Sequence, residues 1–218
     1  MERITGAFVW PFRDPEWLPK VAIMGVILLI PIVGSINALG WMLATLDRLR
    51  AGEERLPPAN FDYLGRGFRL FVVNVVYYLV LLLIAAVVYL PAVLILDAEG
   101  RSSPNAALVA VGTSLSLLTF GILSLGSLVL TFATPPIVRE FTRGGIRGGL
   151  RVAAVARAMR KSPVNTVIAG LMLVAVQFIA GLGFFVCIVG VFFTGALAMA
   201  MEAWIIRSFE VGAPAPTA

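Results

Sequence analysis

Histidine is missing from all 218 residues, and cysteine occurs once, at Cys187. Together these absences remove the ordinary ligands of zinc, haem and iron–sulfur centres, so no metal and no other cofactor is expected. A lone cysteine makes no internal disulfide, and inside an apolar run it reads as a small buried hydrophobe. The serine of "GILSLG" (121–126) lies outside a G-x-S-x-G elbow and has no histidine to serve as its base. Neither a P-loop nor H-E-x-x-H occurs. Charge is scarce too: 13% of residues are charged, against about 25% in soluble domains. Glu202 is the one acid inside an apolar run, too little for a phosphotransferase that gathers carboxylates around a metal. The expectation is that the chain is not an enzyme.

What remains is hydrophobic: 60% of the chain. An uncharged run from Val21 to Leu46 is followed by others over roughly Phe68–Leu96, Ala106–Val138 and Val164–Ile206. Each reaches the ~20 residues that cross a hydrocarbon core, which implies an integral membrane protein. The first run begins late, without a basic leader or a small-residue cleavage site, and does not read as a cleaved signal.

Pro31 and Gly34 fall near the middle of that run, where the chain either kinks or reverses. "IPIVG" (30–34) has a counterpart in "VCIVG" (186–190), and each precedes a small-residue helix ending in arginine, Arg48 and Arg207. Asp14-Pro15 and Ser162-Pro163 both place an N-cap acceptor before a proline. Val164–Ile206 is too long for one span, so it must turn at Gly190, and by analogy the first run turns at Pro31–Gly34. Charge agrees. With a first hairpin, sixteen of the seventeen lysines and arginines share one side, leaving only Arg101 opposite. A single kinked span would also strand Arg3, Arg13 and Lys20 outside, and the positive-inside rule prefers the hairpin.

The expected fold is therefore all-α: one polytopic membrane domain over 1–218, with about six helical segments in three hairpins. Residues 1–14 form an interfacial N-terminus, 15–50 a first hairpin that is short or re-entrant, 51–65 a cytoplasmic loop and 66–138 a second hairpin. Residues 139–162 form a basic interfacial segment, 163–208 the third hairpin and 209–218 a flexible tail. Both termini are expected in the cytoplasm, with the protein in the cell (plasma or inner) membrane.

Within 139–162, Arg143, Arg147 and Arg151 recur every four residues and on a helix make one basic stripe facing anionic headgroups. The alternative is charge that only orients the loop. No aromatics interleave with these arginines, so nucleic acid is not an expected partner. Glu202 is a candidate intramembrane proton or cation site, but it lies five residues from Arg207, near enough the interface to snorkel or pair. Asn37, Asn74 and Gln177 are the amides of the spans, and such groups usually bond across helices. Asn37 is expected to cap backbone groups freed by Pro31. Gly190, Thr194 and Ala198 form a small-residue line for close helix packing or, as the alternative, a homo-oligomer seam.

Pro11-Phe12, Asp14, Trp17, Ile30-Pro31-Ile32, Gly40-Trp41, Gly52-Glu53 and Leu56-Pro57 together resemble the motifs of a membrane family, domain of unknown function 4013. "CIVGVFFTGALAMA" is similar to that family's last helix. The resemblance covers most of the chain and is strongest over 10–70. The acidic, tryptophan-bearing loop usual after Leu-Pro is reduced here to Asp62 between Phe61 and Tyr63. The resemblance implies an architecture and carries no activity. The functional expectation is a non-enzymatic accessory or structural subunit acting on membrane lipids and other membrane subunits. The rival is a small transporter or channel using the broken first hairpin and Glu202.

Overall fold

The computed structural model describes residues 6–100, 105–186 and 189–212. Among these residues the chain is all α, without a strand. The order is α1 (Gly6–Val9), a 3-10 turn (Trp10–Arg13), α2 (Trp17–Leu28), α3 (Val33–Arg50), α4 (Leu64–Glu99), α5 (Ala106–Gly149), α6 (Val152–Lys161), α7 (Pro163–Val186) and α8 (Gly190–Gly212). Four of them, α4, α5, α7 and α8, are long and apolar enough to cross a membrane. At 1.5 Å per residue, the 12 residues of α2 reach only about 18 Å, short of a crossing.

The described residues fall into two compact units, Met1–Val73 with Thr131–Ala218, and Asn74–Leu130. In the first unit α8 packs against α7, α3 and α2. Its alanines at 196, 198, 200 and 203 are buried and let neighbouring backbones approach. Trp41, Met42, Leu43 and Leu46 of α3 are almost wholly buried, so α3 is a core helix although it ends in charge. In the second unit Gly112 lies under Leu96, and Gly126 under Leu81. Large apolar side chains such as Leu83, Val87, Leu94, Leu117 and Phe120 point outward there, each more than half exposed.

The junction of α2 and α3 is a γ-turn. Pro31 has no N–H, Ile32 sits at φ 65, ψ −58, and the Val33 N–H closes onto the Pro31 carbonyl at 2.7 Å. A positive φ of this kind is rare and strained, above all for a β-branched residue. Around it the turn bonds to itself: Leu29 N–H to Val26 O at 3.1 Å, Ile30 N–H to Ile27 O at 3.0 Å and Gly34 N–H to Ile30 O at 2.9 Å. The two helices pack against each other. Gly34 is obligatory, because a Cβ there would land on the Ile27 carbonyl oxygen. Gly190 has the same relation to the carbonyl of Gly183, also seven residues upstream. Cys187 and Ile188 of that second motif lie outside the described residues, as do Arg3, Arg101 and 213–218 of the expected tail.

Several boundaries differ from those read in the sequence. The fourth segment runs on as helix past Val138, breaks at Gly144 and Gly145 and ends at Gly149, and α8 continues to Gly212. Asp14 does not cap a helix at Pro15. It makes an Asx turn, accepting the Glu16 N–H at 3.0 Å, and α2 starts only at Trp17. Pro163 does open α7, but the Ser162 hydroxyl caps nothing and has no hydrogen-bond partner among the described residues. The Ser162 carbonyl instead takes the Thr166 N–H and hydroxyl, at 2.9 and 3.0 Å.

Candidate functional site

Polar side chains of the first unit converge on the segment after α3. Sequence reasoning treats 51–65 as a cytoplasmic loop, yet Leu56 is fully buried. The backbone of Leu56 and Pro57 is bonded from two sides, the segment before α2 and helix α3. Leu56 N–H donates to Asp14 Oδ2 at 2.9 Å, Arg48 donates to the Leu56 carbonyl at 3.1 Å, and Trp41 Nε1 donates to the Pro57 carbonyl at 3.2 Å. Farther along, Asn37 Nδ2 donates to the Asn60 carbonyl at 2.7 Å, and the Tyr63 hydroxyl to the Pro58 carbonyl at 2.8 Å. Glu54 receives Arg13 at 2.9 Å. A proline-rich loop cannot satisfy its own carbonyls through a regular ladder, so side-chain donors do so.

Asp14 anchors the clamp. It is 1% exposed and accepts the Lys20 ammonium at 2.9 Å besides the two backbone N–H groups. Burial alone pushes its carboxyl up, but the Lys20 bond and the Glu16 and Leu56 amides outweigh that and hold it below the ordinary carboxylate range. Burial pushes the Tyr63 phenol up, which keeps it a donor. Over the clamp lies a charged hollow of about 340 Å³, bordered by Glu16, Lys20, Arg48 and Arg55. An ionised acid already holding three donors is poorly placed to accept another proton.

A second tie joins the ends of three helices. Arg50 grips Glu210 of α8 with both sides of its guanidinium, one contact measuring 2.9 Å. It also reaches Asp47 at 3.1 Å and the Thr142 hydroxyl of α5 at 3.0 Å. The start of α4 crosses α3 at Gly40 and Gly67, where a Cβ on either would strike the other segment's backbone.

The candidates from the sequence are scattered. Asn37 is buried, but it holds Asn60 rather than groups freed by Pro31, because the γ-turn already satisfies its own neighbours. Its Oδ1 has no partner among the described residues. Gln177 donates to Thr131 at 3.3 Å, linking α7 to α5, and Asn74 is half-buried on α4. Glu202 is half-buried on α8, and neither it nor Arg207 has a hydrogen-bond or ion-pair partner among the described residues, so of the two expectations, snorkelling or pairing, the pair is not made there. The Thr194 hydroxyl bonds the Ala180 carbonyl at 2.6 Å, so the small-residue line of α8 is spent on α7.

Arg143, Arg147 and Arg151 do not form one stripe. Gly144 and Gly145 leave helical geometry, Gly145 at φ 61, and Arg151 at ψ 78 precedes the next helix. All three arginines are exposed, with Arg143 near Glu140 at 3.5 Å. The amphipathic helix is α6 instead: Val155 faces inward, while Arg157, Arg160 and Lys161 face outward. No three of His, Cys, Asp and Glu converge among the described residues.

A family model described as Protein of unknown function (DUF4013) matches residues 23–205. The match includes Asn37, Trp41, Arg48 and Leu56-Pro57 of the clamp and leaves Asp14 just before its start. No curated protein and no solved structure matches the chain.

Proposed function

The chain belongs to the family of proteins of unknown function DUF4013, and on that premise we propose that it is a multi-pass membrane protein without catalytic activity, working as an accessory or structural subunit. The observation that carries this reading is the clamp: Asp14, Asn37, Trp41 and Arg48 are all occupied in bonding the backbone of 56–60. Such side chains fix a surface; they do not surround a substrate. The outward apolar side chains of Asn74–Leu130 suit lipid or the helices of a partner subunit.

For the topology we propose six membrane segments in three hairpins, with both ends in the cytoplasm of a cell-membrane protein. Support comes from the one-sided distribution of arginine. The first hairpin is re-entrant: α2 is too short to cross, and its tip is uncharged. Leu29, Ile30, Ile32 and Val33 are exposed there, and the turn's N–H groups bond internally, as backbone placed near hydrocarbon must.

Purification in mild detergent tests the subunit role. A partner at fixed stoichiometry is the expected result. The second reading, transport, draws on Glu202, an intramembrane acid without a partner among the described residues. A solitary particle that moves protons or cations in vesicles, and loses that flux with Glu202→Gln, would establish it instead.

A further inference from the structure

A cleft of about 620 Å³ opens in the first unit where α7 begins and α3 and α8 end. Its floor is apolar, with Ile168 and Met172 from α7 and Trp204 and Phe209 from α8. Trp204 is buttressed from behind by Trp10, the rings stacked 5.6 Å apart. On the polar side stand Arg207 and Asn165, and the Asn165 amide ties α7 to the Gly212 carbonyl at 2.6 Å. The volume lies within the range usual for small-molecule sites.

Charge singles out Arg207. Acids around the cleft are already neutralised, Glu54 by Arg13 at 2.9 Å and Glu210 by Arg50. Of the other half-buried cations in the unit, Lys20 pairs with Asp14, Arg48 with Glu53 and Arg50 with Glu210, while Arg139, without an ion pair among the described residues, does not line the cleft. Arg207 lines the cleft half-buried and has no partner among the described residues. A guanidinium above an apolar floor suits a ligand with an anionic head and a hydrocarbon tail, and guanidinium–phosphate pairing is strong and directional. Both α7 and α8 are long and apolar enough to cross a bilayer, so the amphiphile at hand is membrane lipid.

We propose that this cleft holds one anionic phospholipid, its phosphate on Arg207 and an acyl chain along Ile168 and Met172. The site rests on the membrane reading above. It is separate from the exposed cations of α6, which face headgroups only as a diffuse surface.

The test uses the full chain in bilayers of mixed phosphatidylcholine and phosphatidylglycerol, extracted into detergent and weighed by native mass spectrometry. One retained phosphatidylglycerol per chain is expected. Arg207→Gln should lower that retention about tenfold, the loss of one charge-assisted contact, while Arg207→Lys keeps part of it. Ile168→Trp, which fills the floor and leaves the charge, should lower retention as well. Replacing Arg157, Arg160 and Lys161 by Gln should leave the single lipid in place. Equal retention of the two lipids, or no change with Arg207→Gln and Ile168→Trp, overturns the site while leaving the membrane reading intact. A dimer that Arg207→Gln abolishes would put a second copy in the cleft and also overturn it. Failure of the chain to enter bilayers at all would remove the membrane reading and the lipid site with it.

Discussion

The carboxylate of Asp14 accepts the backbone N–H of Leu56, 42 residues along the chain, at 2.9 Å. Around that bond the approach to the first hairpin and the loop that leaves it become one structure. Replacing Asp14 by Ala leaves a buried N–H unpaired and leaves Lys20 only the exposed Glu16, at 3.2 Å. A loss of about 2 kcal/mol or more is expected, measured as the shift in thermal unfolding in detergent.

The same carboxylate sets a pH dependence. Its folded pKa lies below its unfolded value, so its contribution is fully present above the unfolded pKa of about 4 and is lost as pH falls through the folded one. Wild type should therefore be more stable than Asp14→Asn at neutral pH, and the gap should close on acidification below about pH 4. A gap constant from neutrality to pH 3 would contradict the assignment.

The glycines of the helices separate into those where a side chain would strike backbone and those where it would not. At Gly34, Gly67 and Gly183 a methyl group would collide with the carbonyls of Ile27, Ile36 and Gly190, whereas Gly121 faces open space inside a helix. Alanine at the first three should each destabilise by about 1–3 kcal/mol. Alanine at Gly121 should be neutral or stabilise by up to about 1 kcal/mol. Unfolding midpoints of the four variants decide it.

Ile32 carries the only positive φ outside glycine among the described residues, and its side chain is 65% exposed. Ile32→Gly forfeits little packing and relieves the strain, so a gain of about 1 kcal/mol is expected. Ile32→Pro, which forces φ negative, should disrupt the hairpin. A large loss of stability with glycine would mean the isoleucine side chain is held by contacts that this geometry lacks.

Arg50 and Glu210 pair across 160 residues, through a fork that also reaches Thr142. A double-mutant cycle with Arg50→Ala and Glu210→Ala should give a coupling of about 1–2 kcal/mol, since both side chains are largely buried. Arg50→Lys should recover little of it, because an ammonium cannot span two oxygens and a hydroxyl as the fork does.

Hydropathy made the helices legible, and the reversal near Pro31 followed from a proline, a glycine and the distribution of arginine. The end of the fourth segment was not legible. Charge after Val138 reads as loop, but a helix can carry arginine once it leaves the apolar layer, and α5 stays helical past Val138 as far as the break at Gly144. Spacing of four suggested a stripe at 143, 147 and 151, while two adjacent glycines with free backbones cancelled it. The clamp was least visible. Asp14 and Leu56 carry no periodic signal, and nothing local marks a carbonyl as the target of a side chain from another helix. Glycine at 67, beside helix-forming neighbours, is a sign of close approach near the clamp, where a Cβ would strike the Ile36 carbonyl.

The reversal of the first hairpin decides the topology, and one experiment addresses it. A reporter active only in the cytoplasm is fused in turn to each end of the chain. Activity at both ends is expected, because the hairpin returns to the side it left. Activity at the C-terminal end alone would mean that Val21–Leu46 crosses once, and would contradict it.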